Sequence, residues 1–285
     1  MSQISANGQP SKAIAAVRIV LVSPAGPLNV GSIARVMKNF GLSQLYLVTP
    51  QCDPLSPEAR QMAVHADDIL SGARIVETIP NALVGCEHAI ATTARARGFN
   101  APLQPPKVAL PRLLTPSHKP TAVIFGPEDR GLSNEELTYA QTFLKISTTA
   151  AYSALNLAQA VTVCCYELSQ VAQSFNQHNT DFAEVTTPSL AANALQNSPL
   201  SDKQTESKPN AQASTSHQAS LDELEGYYQH LETVLLKVEY LYPHTATSRM
   251  RKLRQLLNRS APTTNEVALL RGMLRQVEWA LSHEE

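Results

Sequence analysis

Three separate segments place polar side chains beside glycines or other small residues, where they could bind a phosphate or a ribose. The first, G-P-L-N-V-G-S, gives Gly26 and Gly31 the spacing of a P-loop, but Ser32 stands where the phosphate-binding lysine belongs. An NTPase is therefore excluded, and no G-x-G-x-x-G dinucleotide loop is present. Two interpretations remain for Asn29 and Arg35. Spacing alone favours a helix N-cap and a solvated arginine; the alternative is an anion or ribose site.

The second segment, F-G-P-E-D-R-G-L, runs from an apolar stretch into two glycines that flank Glu128. Open α/β sheets bind ligands at the carboxyl ends of their strands, so this corner is a candidate binding site. The alternative is a turn whose glycines serve only backbone geometry.

The third segment, Y-S-A-L-N-L-A-Q-A, is a polar loop that enters a helix rich in small residues. Close helix packing explains the alanines without any function. It does not explain Asn156, because asparagine is a weak helix former in a first turn unless its amide has a partner.

These segments lie in a region, 17–173, where short apolar runs alternate with amphipathic stretches. Such alternation predicts an α/β fold with a parallel sheet covered by helices on both faces. Helices are expected around Val30 to Met37, after Ser56, from Ser133 toward Ala140 and from Leu155 to Val171. The predicted strands are 17–22, 45–48, 88–93, 122–125 and 143–146.

The remaining chain divides by composition. The polar segment 1–16 is expected to be a disordered N-terminal extension. Segment 174–220 is rich in Ser, Thr, Asn, Gln and Ala, which predicts a flexible linker. In 221–285 three apolar stripes at helical spacing predict a small all-α C-terminal domain, with Trp279 in its core.

Composition also limits the function classes. The net charge is -1, so any nucleic-acid surface must be a local cluster of basic residues. The four cysteines and eight histidines show no metal-ligand spacing, and no signal peptide or membrane span is evident, so a cytoplasmic protein without a metal site is expected. One basic run stands out, although charge alone favours a solvated helix face for it. Its members are Arg249, Arg251, Lys252, Arg254 and Arg259.

In their order along the chain, the three segments resemble the SPOUT superfamily of α/β-knotted methyltransferases. The patterns are N-x-G-x-x-x-R, then F-G-x-E-x-x-G-L, then L-N-L-x-x-A-V. Within the TrmH-like branch, the chain is most similar to the TrmJ-type tRNA 2′-O-methyltransferases. The similarity runs from about Arg18 to Gln170 and resumes in the tail, with L-E-G-Y-Y-Q-H-L-E from Leu224 and L-L-R-G-M-L from Leu269.

The resemblance implies a deep trefoil knot at the end of the catalytic domain, a rare exception to unknotted topology. It also implies S-adenosyl-L-methionine as cofactor and methylation of a tRNA ribose 2′-hydroxyl, at nucleotide 32 of the anticodon loop. Family members are homodimers with the active site at the subunit interface, so Arg35 would act on cofactor held by the other chain. The tail resemblance favours tRNA binding by the basic run.

By position, the resemblance assigns catalytic roles to Arg35, Asn29, Glu128 and Asn156. Because a guanidinium keeps its protons in proteins, Arg35 is expected to hold an RNA phosphate and polarise the hydroxyl rather than to act as a base. The cofactor-binding positions are Thr92, Thr93, Ala94, Gly126, Ile146, Ser153, Ala154 and Leu155.

Three alternatives stay open at this stage. The first is a ribose methyltransferase of the same superfamily that acts on ribosomal RNA. The second is a non-catalytic RNA-binding protein, supported by Ala154, which stands where the family usually has serine, with Ser153 one place earlier. The third, a nucleotide-binding regulator, lacks a phosphate-loop lysine.

Overall fold

The protein is described from a computed structural model, which covers residues 12–94, 102–115, 119–149, 151, 154–183 and 217–283. Within these residues the chain forms one parallel sheet with the strand order β3-β2-β1-β6-β4-β7-β5. Every paired neighbour runs parallel, which confirms the predicted sheet. The strands are β1 (Val17–Val22), β2 (Gln44–Val48), β3 (Arg74–Val76), β4 (His88–Thr92), β5 (Leu103–Gln104), β6 (Thr121–Phe125) and β7 (Thr142–Leu144).

The centre of the sheet is buried on both faces, as expected when helices cover a parallel sheet. Every residue of β1 and β6 is buried. Ile19 and Leu21 pack into the apolar cluster on one face, whereas Val20 and Val22 pack into the cluster on the other. The alternation follows from the two-residue repeat of a strand.

Helices pack on both faces of the sheet. Two short 3₁₀ helices, Leu110–Leu113 and Glu136–Tyr139, accompany them. The α-helices are α1 (Lys12–Ala15), α2 (Pro27–Asn39), α3 (Pro57–Ala63), α4 (Asp67–Ser71), α5 (Ile79–Leu83), α6 (Pro106–Ala109), α7 (Leu157–Ala183), α8 (Leu221–Lys237), α9 (Pro243–Ser260) and α10 (Thr264–Leu281).

On the first face, helices α1 to α4, α6 and α7 share one apolar cluster with the sheet. The contact between α2 and α3 depends on Gly31. A Cβ at this position would lie 2.1 Å from the carbonyl oxygen of Ala59, so only glycine lets the two helix backbones approach this closely. This packing fixes the direction of α2, which carries Asn29 and Arg35.

On the second face, the predicted C-terminal helices pack directly against the sheet. Helices α8 to α10 share an apolar cluster with the sheet, in which Leu224 and Tyr228 join Val20 and Ile124. The physical reason is that the apolar second face of the sheet must be covered by helices. Helix α5, with five residues, is too short to bury this face, and the C-terminal helices cover what it leaves open.

Trp279 was expected in the helical core, and this expectation was wrong. The side chain is 56% exposed and packs against His283 in a tilted arrangement, with ring centroids 4.3 Å apart. Helix α10 packs inward through Val267, Leu270 and Leu274 instead, and this stripe leaves Trp279 outside.

The segment boundaries also differ from those expected. Helix α1 lies inside the predicted extension, and Ile14 is buried in the core. Helix α7 continues to Ala183, past the predicted start of the linker. Just before α8, Ala219 is fully buried and Ser220 forms a capping box with Glu223. Residues 1–11 and 184–216, which hold the rest of the predicted extension and linker, lie outside the described residues.

Two predicted elements are shorter than expected. The segment from Ser133 forms a 3₁₀ helix rather than an α-helix, although its capping box is present: the Glu136 backbone N–H donates to Ser133 Oγ at 3.2 Å. Strand β7 ends at Leu144 rather than at Ile146. In the described part of the chain, no helix has the length and apolar character needed to cross a membrane.

Candidate active site

Four neighbouring strands, β1, β6, β4 and β7, end at the same edge of the sheet. Because they are parallel, the loops that follow them converge there, and in open α/β sheets this edge is where ligands bind. The loop after β1 leads into α2, the loop after β6 carries Glu128, and the segment after β7 leads into α7 through Asn156. The topology thus brings the three segments singled out in the sequence to one place.

Asn29 lies in the first turn of α2 but does not cap it. The helix begins at Pro27 with Gly26 as its N-cap, so the N-cap interpretation of Asn29 was wrong. Its side-chain amide instead donates from Nδ2 to Glu128 Oε1 at 2.7 Å. Proline at the first helical position presets the backbone for this start.

Glu128 is bound by two donors at the start of α2. Besides the Asn29 amide, the Ala25 backbone N–H donates to Glu128 Oε2 at 3.1 Å. Partial burial raises the pKa of Glu128. The hydrogen bonds lower it by more than burial raises it, so the pKa lies below the usual value for a glutamate. The carboxylate is therefore charged at neutral pH.

Asn156 is the N-cap of α7. Its Oδ1 accepts from the backbone N–H groups of Ala158 at 2.8 Å and Gln159 at 3.4 Å. Its Nδ2 donates to Asn29 Oδ1 at 3.0 Å. This amide has the partner that its position in the sequence required.

The three side chains form a hydrogen-bonded chain with one consistent direction. The N–H donors of α7 orient Asn156 so that its amide group faces Asn29. Asn29 must then turn its own amide group toward the charged Glu128. Since a carboxylate only accepts hydrogen bonds, reversing either amide would break a bond. The helix end thereby fixes the orientation of all three groups.

The glycines on either side of Glu128 are required by the backbone geometry of the loop after β6. A Cβ on Gly126 would lie 2.3 Å from the carbonyl carbon of Gly131, and Gly131 has a φ of +68°. The Arg130 guanidinium binds Glu136 through two hydrogen bonds of 2.8 and 2.9 Å, which closes the far end of the loop. Backbone geometry therefore explains both glycines, and the role of this corner as a binding site stays a prediction.

Arg35 is exposed on α2, six residues beyond Asn29 and about 9 Å along the helix axis. Among the described residues, no side chain or carbonyl accepts a hydrogen bond from its guanidinium, and no carboxylate pairs with it. Arg35 lies outside the chain formed by Glu128, Asn29 and Asn156, and its charge is available to an external anion.

The predicted cofactor positions that the structure describes lie at the same edge. Thr92 ends β4 and donates to the Ile124 carbonyl at 3.1 Å, and the Thr93 backbone N–H donates to the Leu144 carbonyl at 2.9 Å. Ala94 and Ala154 are exposed, Ile146 is half-buried and Leu155 is 38% exposed. Ser153 lies outside the described residues.

These residues fit an adenosyl group on two grounds. The glycine at position 126 lets the loop after β6 fold onto itself without a side chain at the strand end. Leu155, an apolar side chain left open to solvent at this polar edge, offers a surface for an adenine ring. No group of His, Cys, Asp and Glu side chains suited to a metal occurs in the part of the chain described.

Two contributors to the site were not predicted. Gln159 accepts a hydrogen bond from the Asn156 backbone N–H at 3.2 Å, which completes a capping box. The three-residue spacing from asparagine to glutamine was a signal for it. The Ala25 backbone N–H has no signal in the sequence, because its role follows from the path of the loop after β1.

The basic run divides into two groups on α9. Arg249, Lys252 and Arg259 are exposed, whereas Arg251 and Arg254 are partly buried. Arg254 does not belong to a free basic patch, contrary to the prediction, because its side chain is only 13% exposed and binds Glu225 through two hydrogen bonds of 2.5 and 2.8 Å. Helical spacing places it on the inner face, where its guanidinium lies 4.5 Å from the ring centre of Tyr228.

Comparison with known proteins identifies the family. The model of the SpoU rRNA methylase family matches residues 16–166, so the chain belongs to this family. A second model, the C-terminal domain of the tRNA methyltransferase TrmJ, matches residues 222–285, which confirms the TrmJ-type resemblance.

Individual relatives agree with the family assignment. A protein named tRNA (cytidine/uridine-2′-O-)-methyltransferase TrmJ from Klebsiella pneumoniae is 35% identical over 92% of this chain and 96% of its own length. Its counterpart from Cronobacter sakazakii is 36% identical with the same coverage. The crystal structure of TrmJ from Z. mobilis has a TM-score of 0.71 and 30% identity, and it covers 92% of this chain and 98% of that one.

Proposed function

We propose that this protein transfers a methyl group from S-adenosyl-L-methionine to a ribose 2′-hydroxyl of tRNA, at nucleotide 32 of the anticodon loop. The observation that carries the proposal is the chain from Glu128 through Asn29 to Asn156, which joins three distant segments at the ligand-binding edge of the sheet. The names of the relatives support tRNA and the 2′-oxygen. Position 32 rests on the sequence resemblance.

The cofactor, when bound, supplies a methyl group on a sulfonium, which needs little acid catalysis. Its adenosyl part would be held by the loops after β4, β6 and β7, which contain Thr93, Gly126 and Ile146, together with Leu155. The difficult partner is the ribose hydroxyl, a poor nucleophile until its proton begins to leave. The protein therefore acts mainly by positioning and by stabilising the developing negative charge.

Arg35 is the cation suited to that stabilisation. Its exposed guanidinium binds an RNA phosphate and polarises the 2′-hydroxyl, whose proton passes to the phosphate or to water. Glu128 and Asn29 orient the ribose, and their hydrogen bond keeps the carboxylate in place. Asn156 holds Asn29 from the other side.

The enzyme is a homodimer with a trefoil knot, and Arg35 acts on the cofactor of the partner subunit. Exposed apolar side chains support a contact through α2 and α7, since Leu28 is 52% exposed and Tyr166 is 49% exposed. Catalysis is assigned to the sheet with helices α1 to α7, and tRNA binding to helices α8 to α10, in a cytoplasmic enzyme.

The decisive experiment is mass spectrometry of tRNA and ribosomal RNA from cells with and without this protein. Loss of a 2′-O-methyl group at tRNA position 32 is expected. Loss of a methyl group from ribosomal RNA alone would assign the other substrate, and no change in either RNA would favour a non-catalytic RNA-binding protein.

The role of Arg35 is tested by single-turnover methylation with Arg35→Ala. Removal of one group that stabilises a developing oxyanion costs about 10²- to 10³-fold in rate, and a loss of this size is expected with unchanged cofactor affinity. Lys38→Ala is the matched control, because it removes a cation from the same helix that is already bound to Asp68 at 2.8 Å. Near-normal turnover by Arg35→Ala would remove Arg35 from the mechanism.

A further inference from the structure

A cleft of about 420 Å³ lies between the 3₁₀ helix Glu136–Tyr139 and helices α8 and α9. One wall is the segment that follows the Glu128 loop, with Asn134 and Glu135, and the opposite wall carries Glu232 and Arg251. Its volume falls within the range of about 300–1,000 Å³ typical of ligand sites. None of the residues assigned to catalysis or cofactor binding lines this cleft.

The polar groups of the cleft are poised for an external ligand. Glu232 and Arg251 are half-buried, yet neither side chain forms a hydrogen bond or an ion pair with any residue that the structure describes. The side chains of Asn134 and Glu135 are exposed and likewise form no hydrogen bond or ion pair with a described residue. A half-buried charge without a partner is unfavourable, so a ligand that supplies both donors and acceptors would be stabilised here.

The charge of the cleft disfavours a phosphate. Arg254 is neutralised by Glu225, which leaves Glu135 and Glu232 against Arg251. This balance is negative, so a phosphodiester would be repelled. Amino and imino groups on the edge of a nucleobase can donate to carboxylates, while base carbonyls can accept from a guanidinium.

Helix α9 places this cleft beside a surface suited to phosphates. Arg249 and Lys252 project to solvent, whereas Met250 and Arg251 face the cleft, so one helix presents both surfaces. Met250 and the ring of Tyr139 add apolar surface within the cleft. A single-stranded RNA bound along the exposed face could therefore turn one base inward, the usual way in which proteins recognise RNA sequence.

We propose that the cleft between the 3₁₀ helix and helices α8 and α9 binds one unstacked nucleobase of the tRNA substrate, through Glu232 and Arg251. The inference rests on the proposed function, since it takes tRNA as the substrate. The base is one that carries an exocyclic amino group able to donate to Glu232.

The test combines protein and RNA substitutions. Full-length tRNAs assembled by ligation each carry one abasic nucleotide, and their Kd values are measured by fluorescence anisotropy. In the wild type, one abasic position is expected to raise Kd about 10- to 100-fold, the effect of one hydrogen bond to a charged group. Glu232→Gln keeps an acceptor but removes the charge, so it is expected to raise the Kd of intact tRNA about tenfold and to lower the penalty of the same abasic site by the same factor. Arg251→Gln gives the same pattern, and the exposed Glu77→Gln serves as the control that keeps the full penalty.

Equal abasic penalties in the wild type and in both cleft variants would overturn the proposal. So would a shift in oligomeric state on Glu232→Gln, because it would assign the cleft to a second copy of the chain. Binding requires no turnover. If the cleft variants reduce the abasic penalty as expected but the wild type does not methylate tRNA, only the proposed function is refuted. Normal methylation with an abasic penalty that stays the same in the cleft variants refutes only the cleft. Failure of any tRNA to bind refutes both proposals.

Discussion

Asn156 has two hydrogen-bonding roles that substitution can separate. Its Oδ1 caps α7, and its Nδ2 holds Asn29 in the orientation that serves Glu128. Asn156→Ser keeps an oxygen acceptor at the N-cap, but the serine side chain is too short to donate a hydrogen bond to Asn29. Asn156→Ala removes both. If the chain of three side chains orients the site, the two variants must differ in stability and yet share a loss of activity.

The magnitudes follow from the bonds. Serine and asparagine are about equal as N-caps, and alanine costs about 0.5–2 kcal/mol, so Asn156→Ser is expected to be more stable than Asn156→Ala by this amount, since both variants lose the bond to Asn29. The lost bond to Asn29 is neutral and is worth about 0.5–1.5 kcal/mol. At 1.36 kcal/mol per tenfold change in rate, methylation slows about two- to tenfold in both variants.

The assay is single-turnover methylation with saturating tRNA and cofactor, together with urea unfolding of the same preparations. In an Asn29→Ala background, Asn156→Ser is expected to slow the reaction less than twofold further, because the two residues act through one bond. Wild-type turnover of Asn156→Ser would refute the argument. Equal losses of stability in the serine and alanine variants would refute the capping role.

Three further predictions test the fold and the RNA surface. Gly126→Ala places a Cβ 2.3 Å from the backbone of Gly131, so unfolding in urea is expected to show a loss of about 3 kcal/mol or more. Burial lowers the pKa of His88 to about 4 from 6.5, so the unfolded chain binds a proton that the folded chain does not as pH falls through this window. Stability from this group is present above pH 6.5 and is lost toward pH 4; His88→Gln should remove about 3 kcal/mol of that pH dependence in urea titrations at several pH values. Reversing the charges of Arg249 and Lys252 should weaken tRNA binding and flatten its salt dependence by about one unit of log–log slope per lost phosphate contact; an unchanged slope would count against this surface.

The sheet was largely predictable from the sequence. The apolar runs at Val17–Val22 and Thr121–Phe125 are fully buried strands, as their composition indicated. Strands β3 and β5 were missed because they contain three and two residues and lie at the sheet edges, where burial does not impose an apolar pattern. Ile75 in β3 is 60% exposed, for example.

The candidate site was predictable in its members but not in its contacts. Asn29, Glu128 and Asn156 were each singled out by residue type and by their order in the chain. Spacing nevertheless favoured an N-cap for Asn29, because local pattern carries no information about a partner 99 residues away. The parallel topology creates that contact by bringing the strand ends to one edge.

By itself, the sequence determined the buried strands, the long helices and the candidate site residues, because periodicity, capping and motif order act over short distances along the chain. Only the tertiary structure decided which charged side chains are buried in ion pairs and which are exposed. Arg254 belonged to a basic run by sequence, yet packing of α8 against α9 pairs it with Glu225 and leaves Arg249 in solvent. The reason is that burial and ion pairing depend on which helix faces meet, and that is settled only when the C-terminal helices cover the open face of the sheet.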